Sequence, residues 1–169
     1  MSRVPAQPYQ QQLVQWVPPS PNPFKINYDG VVFKSSNRSG IGVVIRDQEG
    51  LVIASLTLVN QAYSAVEIEA MAATHALEFA LEVNIDRVVV KGDSKMVVQA
   101  LMSKNSSLAS YGLLVQDVYV FVRNFFELSY SHTKRDINKV AHNLVKLAVN
   151  FSDCVVWLED APPSVIPFV

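Results

Sequence analysis

The sequence predicts an α/β fold built on a mixed β-sheet, and three observations support this class. Strand-like and helix-like segments follow in the order β-β-β-α-β-α-α-β-α, which combines antiparallel hairpins with parallel crossovers. No proline lies between Phe24 and Ala161, so that span can form uninterrupted ladders and helices. With 169 residues, 50% of them hydrophobic, the chain is long enough for one buried core.

The first half of the predicted domain is a set of three strands and a long helix. The strands are rich in Val, Ile and Leu: Phe24–Phe33, Gly40–Arg46 and Leu51–Val59. The polar residues 47–50 are typical of a hairpin turn. A helix is predicted over 64–83, because Ser64 is a favourable N-cap and Glu67 follows three residues later, as in a capping box.

The second half alternates between short strands and helices. Arg87–Lys91 is a β-branched run typical of a buried strand. Helices are predicted at about 94–103 and 110–125, and another strand at Glu127–His132. A last helix is predicted from Asp136, a plausible N-cap, to near Asn150.

The ends of the chain differ in composition from this domain. Residues 1–23 form a Gln/Pro-rich tail, which we expect to be largely disordered up to about residue 15, with Trp16–Pro23 extended against the core. The domain is expected over 24–169, with a proline-containing C-terminal extension from about residue 152.

Composition and charge exclude several classes of protein. With 14 Lys+Arg against 15 Asp+Glu, the net charge is −1, which excludes a disordered polyelectrolyte and argues against a uniformly basic nucleic-acid binder. Cys154 is the only cysteine, so no intrachain disulfide or cysteine-based zinc site can form. No run approaches the roughly 20 apolar residues of a membrane helix, and no signal peptide is evident. We expect a soluble intracellular monomer, in nucleus or cytoplasm, without membrane contact.

Three acidic residues stand at junctions of the predicted elements. Asp29 lies within the first strand, and Asp93 directly follows the fourth, at the end where open α/β sheets bind ligands. Glu69 falls on the buried edge of the first long helix, whereas Glu67 points nearly opposite. Each acid also has a simpler explanation, since acidic residues cap helices and complement the helix dipole.

The sequence segments around these acids resemble those of the RNase H family, particularly the RNase H-like domains of plant proteins and non-LTR retrotransposons. Five segments carry the resemblance in the family's order: Lys25–Gly30, Gly40–Asp47, Glu69–Ala73, Val88–Ser94 and Ser131–Ala141. The resemblance covers about 16–169. It implies an RNase H-like fold, with a five-stranded sheet of three antiparallel strands followed by parallel strands and flanked by helices.

The resemblance also implies a chemistry, because in this family clustered carboxylates hold two divalent metal ions that cleave the RNA strand of an RNA–DNA hybrid. By position, Asp29 would bridge both ions, Asp93 would hold the ion that activates water, and Glu69 the ion facing the leaving 3′-oxygen. Mg²⁺ suits these ligands, since it prefers carboxylate and phosphate oxygens, and Mn²⁺ is the alternative ion.

Further positions match family residues that act beside the metals. His132 matches a mobile histidine that assists proton transfer or product release, although a solvent-exposed histidine at a strand end is the simpler explanation. Contacts to the nucleic acid are implied for five residues: Gly30, Ser64, Lys134, Arg135 and Asn138. Lys139 extends the basic cluster, for which a solvated charged face is the alternative.

The fourth acidic position of the family falls here on His142, which shares a helix face with Asn138. Neutral imidazole can ligate a metal, but it brings no negative charge and favours softer ions than Mg²⁺. Two functions therefore stay open. The chain is an active hybrid-cleaving endonuclease, favoured because the other three acids are present, or a catalytically weak or inactive module that binds nucleic acid or a protein partner. A stable fold without a ligand is the third alternative.

Overall fold

A computed structural model describes residues 22–103 and 118–169. The strands are β1 (Phe24–Phe33), β2 (Arg38–Arg46), β3 (Val52–Gln61), β4 (Arg87–Gly92), β5 (Glu127–His132) and β6 (Val155–Leu158). The helices are α1 (Ala65–Glu82), α2 (Lys95–Ser103), α3 (residues 118–122) and α4 (Lys139–Ala148), with 3₁₀ turns at Arg135–Ile137 and Ile166–Phe168. The predictions for residues 1–21 and 104–117 lie outside the described residues.

The strands form one mixed sheet in the order β5-β4-β1-β2-β3-β6. β1, β2 and β3 make an antiparallel meander, while β4 pairs parallel with both β1 and β5. The predicted α/β class, the meander and the parallel partner of β1 are therefore confirmed.

The predicted number of strands was too low by one, because β6 pairs antiparallel with β3 at the edge of the sheet. It occupies part of the segment from about residue 152 that was expected to be a proline-containing C-terminal extension. A four-residue strand whose residues alternate between half-buried and exposed carries little periodic signal, since strands are usually five to six residues long.

The predicted start of α1 is confirmed, and that of the last helix is wrong. The Glu67 amide donates to Ser64 Oγ at 3.2 Å, and the Ser64 amide donates to the Glu67 carboxylate at 2.9 Å, which completes the capping box. The last helix begins two residues later than predicted, because Arg135–Ile137 is a 3₁₀ turn and Asn138, not Asp136, is the N-cap of α4.

Two glycines let the helices approach the centre of the sheet from opposite faces. A Cβ at Gly30 would lie 2.6 Å from the carbonyl oxygen of Ile68 in α1, and a Cβ at Gly42 would lie 2.4 Å from that of Ala141 in α4. Both distances are far below ordinary contact, so only glycine permits this packing. As a result, side chains from both helices reach the middle of β1.

No helix of the described residues combines the length and the apolar character required to cross a bilayer.

Candidate metal centre

Three carboxylates meet where β1, α1 and the end of β4 come together. Asp29 comes from the middle of β1, Glu69 from the second turn of α1, and Asp93 from the residue after β4. One oxygen of each carboxylate lies within 4.8 Å of the others. Asp29 is fully buried, Glu69 is 7% exposed, and the Asp93 side chain is 5% exposed. The predicted convergence of the three acids is confirmed, while their catalytic roles stay predictions.

These carboxylates leave buried oxygens without partners. Asp29 Oδ1, Glu69 Oε2 and Asp93 Oδ2 make no hydrogen bond to any described residue. Isolated buried polar atoms are costly, and neighbouring anions repel one another, so protein groups alone do not satisfy the cluster. A hard divalent cation such as Mg²⁺ or Mn²⁺ fits this donor set, because it takes oxygen ligands and supplies the missing positive charge.

The pKa values of these acids reflect the same excess of buried negative charge. Burial first, and then the proximity and negative charge of Asp29, raise the pKa of Glu69 to about 10. Burial and the charge of Asp29 also raise the pKa of Asp93, although Arg135 opposes this shift. The metal-free site therefore keeps a proton at neutral pH, which a bound cation would replace.

His142 lies beside this group, on the face of α4 that packs against β1. Its Nδ1 atom is 2.7 Å from Asp29 Oδ2, and its side chain is 28% exposed. The imidazole therefore contacts the most deeply buried of the three acids. This places the predicted fourth residue at the centre, and a direct bond from His142 to a metal stays a prediction.

Two other predicted residues line the approach to the acids. His132 is exposed at the end of β5, with Nε2 3.2 Å from the backbone oxygen of Asp93. Arg135 lies with its Nε 3.5 Å from Asp93 Oδ2. A cavity of about 260 Å³ opens here, and its lining is Gly30, Ala65, Val66, Glu69, Asp93, Ser94 and Arg135.

The remaining residues that were predicted to contact the nucleic acid differ in solvent exposure. Ser64 is exposed at the start of α1, where its hydroxyl serves the capping box, and Lys134 and Lys139 are exposed. Asn138 is buried, and its amide donates to the Tyr28 carbonyl at 2.9 Å and accepts from Asn27 Nδ2 at 3.0 Å. This position ties α4 to β1 and does not support a substrate contact by Asn138.

Sequence reasoning missed Asn27 and Tyr28, two buried residues of β1 that support this site. Asn27 is buried and links Arg46 Nη2, at 3.1 Å, to Asn138. Tyr28 is fully buried, and its ring occupies the space left by Gly92, where a Cβ would lie 2.4 Å from the hydroxyl. Burial first, and then the charge of Glu69, raises the pKa of Tyr28 well above its ordinary value. The sequence signal that could have identified this support was Asn27, a polar residue within a buried strand.

We expect the metal-free protein to lose stability as pH rises from about 5 to about 9. The folded pKa of Glu69 lies at about 10, against an ordinary value of 4.5. The folded state thus keeps a proton that the unfolded chain releases, so this contribution is full below the ordinary value and is lost as pH rises towards the folded one. Melting temperatures in chelator across this range measure the effect.

Glu69→Gln should flatten this pH profile, because glutamine does not titrate. Glu67→Gln is the matched control, since Glu67 lies two residues away in the capping box and glutamine also completes such a box. It should keep the wild-type slope. An unchanged slope in Glu69→Gln would assign the pH dependence to other groups.

Comparison with known proteins places this architecture in a family. Residues 27–148 match the model of a family described as reverse transcriptase-like. A candidate ribonuclease H protein of Arabidopsis thaliana is 27% identical over 146 residues, which are 86% of this chain. The chain spans only 24% of the length of that relative.

Solved structures show the same fold. RNase H1 from the archaeon Halobacterium salinarum NRC-1 has a TM-score of 0.69 at 21% identity, over 75% of this chain and 97% of that one. LC11-RNase H1, a compost metagenome protein solved in complex with an RNA/DNA hybrid, has a TM-score of 0.63 at 22% identity, over 75% and 96% of the two chains. The predicted RNase H-like fold is therefore confirmed.

Proposed function

Because the chain belongs to the reverse transcriptase-like family and has an RNase H-like fold, we propose that it is a metal-dependent endonuclease that hydrolyses the RNA strand of RNA–DNA hybrids. One observation carries the proposal. Asp29, Glu69 and Asp93 bring carboxylate oxygens within 4.8 Å of one another, and each retains a buried oxygen without a partner among the described residues.

The three acids would hold two Mg²⁺ or Mn²⁺ ions. Asp29 is the shared ligand in this proposal, since its charge acts on both Glu69 and Asp93 and raises the pKa of each. Asp93 would hold the ion on the side of the attacking water, and Glu69 would hold the ion on the side of the leaving 3′-oxygen. When bound, two such ions stabilise the charge that develops on the attacking and leaving oxygens.

The chain's own residues would supply proton transfer and substrate contacts. His132 is exposed beside Asp93, where its ring can exchange a proton with the reacting groups or with solvent. The start of α1, with Gly30 and Ser64, and the basic residues Lys134, Arg135 and Lys139 would meet phosphates. With a net charge of −1, such contacts are few, so binding should be weak and sensitive to salt.

The contact between His142 and Asp29 favours a second candidate function, an inactive RNase H-like module that binds nucleic acid or a protein partner. His142 Nδ1 lies 2.7 Å from Asp29 Oδ2, so the deepest acid already has a hydrogen-bonding partner within the protein. A cleavage assay on a defined RNA–DNA hybrid, with Mg²⁺ and Mn²⁺ in parallel, separates the two functions. We expect cleavage, with Mn²⁺ more effective, because imidazole favours softer ions.

We expect His142→Asp to raise Mg²⁺-dependent cleavage by about tenfold or more, corresponding to about 1.4 kcal/mol of added stabilisation of the transition state. The substitution places a carboxylate next to Asp29 and restores a charge that attracts a hard cation. Initial rates over a Mg²⁺ titration measure the gain.

Asn143→Asp is the control for this experiment, because it adds the same charge to the next residue of α4, whose side chain instead bonds back to the Lys139 carbonyl. It should leave the Mg²⁺ dependence unchanged. If neither the wild type nor His142→Asp cleaves a hybrid with either ion, the nuclease proposal is wrong and the binding-module function replaces it.

A further inference from the structure

An ion pair spans the entrance to the acid cluster. Arg135 lies in the 3₁₀ turn between β5 and α4, with its Nε 3.5 Å from Asp93 Oδ2. The Arg135 side chain is 74% exposed, whereas that of Asp93 is 5% exposed. The long cationic side chain of Arg135 therefore reaches in from solvent and partly compensates the buried negative charge of Asp93.

This ion pair is loosely held. Asp93 Oδ2 has no hydrogen-bond partner in the described part of the chain, so the contact is electrostatic and lacks the paired bonds of a bidentate arginine–carboxylate interaction. Arg135 makes no other ion pair with the described residues. Because its guanidinium end is 74% exposed, the pair is partly screened by solvent, and the guanidinium can leave once another cation compensates Asp93.

A cation bound at Asp93 would change the electrostatic interaction between Asp93 and Arg135. The carboxylate would be neutralised by the metal, and the positive guanidinium, a few ångströms away, would be repelled by it. Arg135 lines the cavity beside the pair together with the first residues of α1 and Ser94, and its volume of about 260 Å³ can take a phosphate group next to the guanidinium. The planar guanidinium presents a fork of donors that matches phosphate oxygens.

We propose that Arg135 is a displaceable counter-ion that couples metal binding to substrate binding. It pairs with Asp93 in the metal-free protein, and it transfers to a phosphate of the nucleic acid when a cation occupies the acids. This inference rests on the proposed function and adds a thermodynamic consequence. The cation releases the arginine for the substrate, so metal and nucleic acid strengthen each other's binding.

Direct titration with Mn²⁺, without nucleic acid, tests the first half of the proposal. Arg135→Gln removes the competing charge and should bind Mn²⁺ about two- to fivefold more tightly than the wild type, the range expected for a solvent-screened ion pair. Lys134→Gln is the matched control, since it removes the same charge from the adjacent exposed residue. Its Mn²⁺ affinity should equal that of the wild type. Equal affinities for Arg135→Gln and Lys134→Gln would overturn the proposal.

Hybrid binding tests the second half. The probe is a DNA strand paired with 2′-O-methyl RNA, which lacks the reactive hydroxyl and is not consumed. Saturating Mn²⁺ should increase the affinity of the wild type for this probe by a larger factor than that of Arg135→Gln. An equal increase in both proteins would refute the coupling.

The two proposals fail in different ways. If Asp29→Asn binds Mn²⁺ as well as the wild type does, the acids are not the metal site and the proposed function is wrong. If Asp29→Asn loses Mn²⁺ binding but Arg135→Gln shows neither tighter binding nor reduced coupling, only the role assigned to Arg135 is wrong.

Discussion

Asp29→Asn is expected to abolish hybrid cleavage with Mg²⁺ and with Mn²⁺, lowering the rate by at least about 10³-fold. Asp29 is the fully buried member of the cluster, and the charges of both other acids interact with it. Metal ions contribute several kcal/mol of transition-state stabilisation, and about 4 kcal/mol corresponds to a factor of 10³. An amide retains the shape of the side chain but lacks the charge that holds the ions.

Folding must be separated from catalysis in this experiment. The substitution removes a buried anion from beside Glu69 and Asp93, so the metal-free Asp29→Asn protein should melt no lower than the wild type. Asp86→Asn is the matched control, because Asp86 is exposed just before β4, whereas Asp93 follows that strand. It should cleave normally. If Asp29→Asn keeps more than about a tenth of the activity, the cleavage does not arise at this centre.

Gly42→Ala should lower the free energy of unfolding by about 3 kcal/mol, the upper end of the usual cost of overpacking. The added Cβ would lie 2.4 Å from the Ala141 carbonyl oxygen and 2.8 Å from the Val145 amide nitrogen. Both are backbone atoms of α4, which cannot turn aside as a side chain can. The helix must move away from β2, and it carries His142 away from Asp29. Urea denaturation monitored by fluorescence measures the loss.

Gly50→Ala separates steric crowding from backbone conformation. Gly50 lies in the β2–β3 turn at a φ of 90°, and a Cβ there would meet nothing within 4 Å. The same substitution should cost about 1 kcal/mol at Gly50, from conformation alone. If the two variants lose equal stability, the close approach of α4 to the sheet does not require glycine.

The predictions that succeeded rest on local patterns. Alternation and β-branched runs located β1 and β4, and Ser64 with Glu67 located the start of α1, because these signals act within a few residues. Helix geometry alone was enough to select Glu69, and not Glu67, as the candidate site residue of α1. Topology then brought the acids together, since the first turns of α1 and the end of β4 meet beside the middle of β1.

The predictions that failed depend on contacts between distant parts of the chain. Asp136 is as good an N-cap residue as Asn138, but only Asn138 bonds to Asn27 and Tyr28, more than 100 positions earlier. That tertiary contact decides where α4 begins. The pairing of Arg135 with Asp93 and of His142 with Asp29 likewise joins separate elements, so residue types and spacing could nominate these groups without showing what they touch.

The pairing of β3 with β6 also determines when the sheet can be completed during synthesis. It joins Leu56 to Val156, so the two strands leave the ribosome one hundred residues apart. At ordinary translation rates, about 5 to 20 s separate them. Throughout that interval the outer edge of β3 has unpaired backbone groups that can add a strand from another nascent chain. Slower growth and chaperone supply should therefore raise the soluble yield of this protein more than that of a domain whose edge strands are neighbours in sequence.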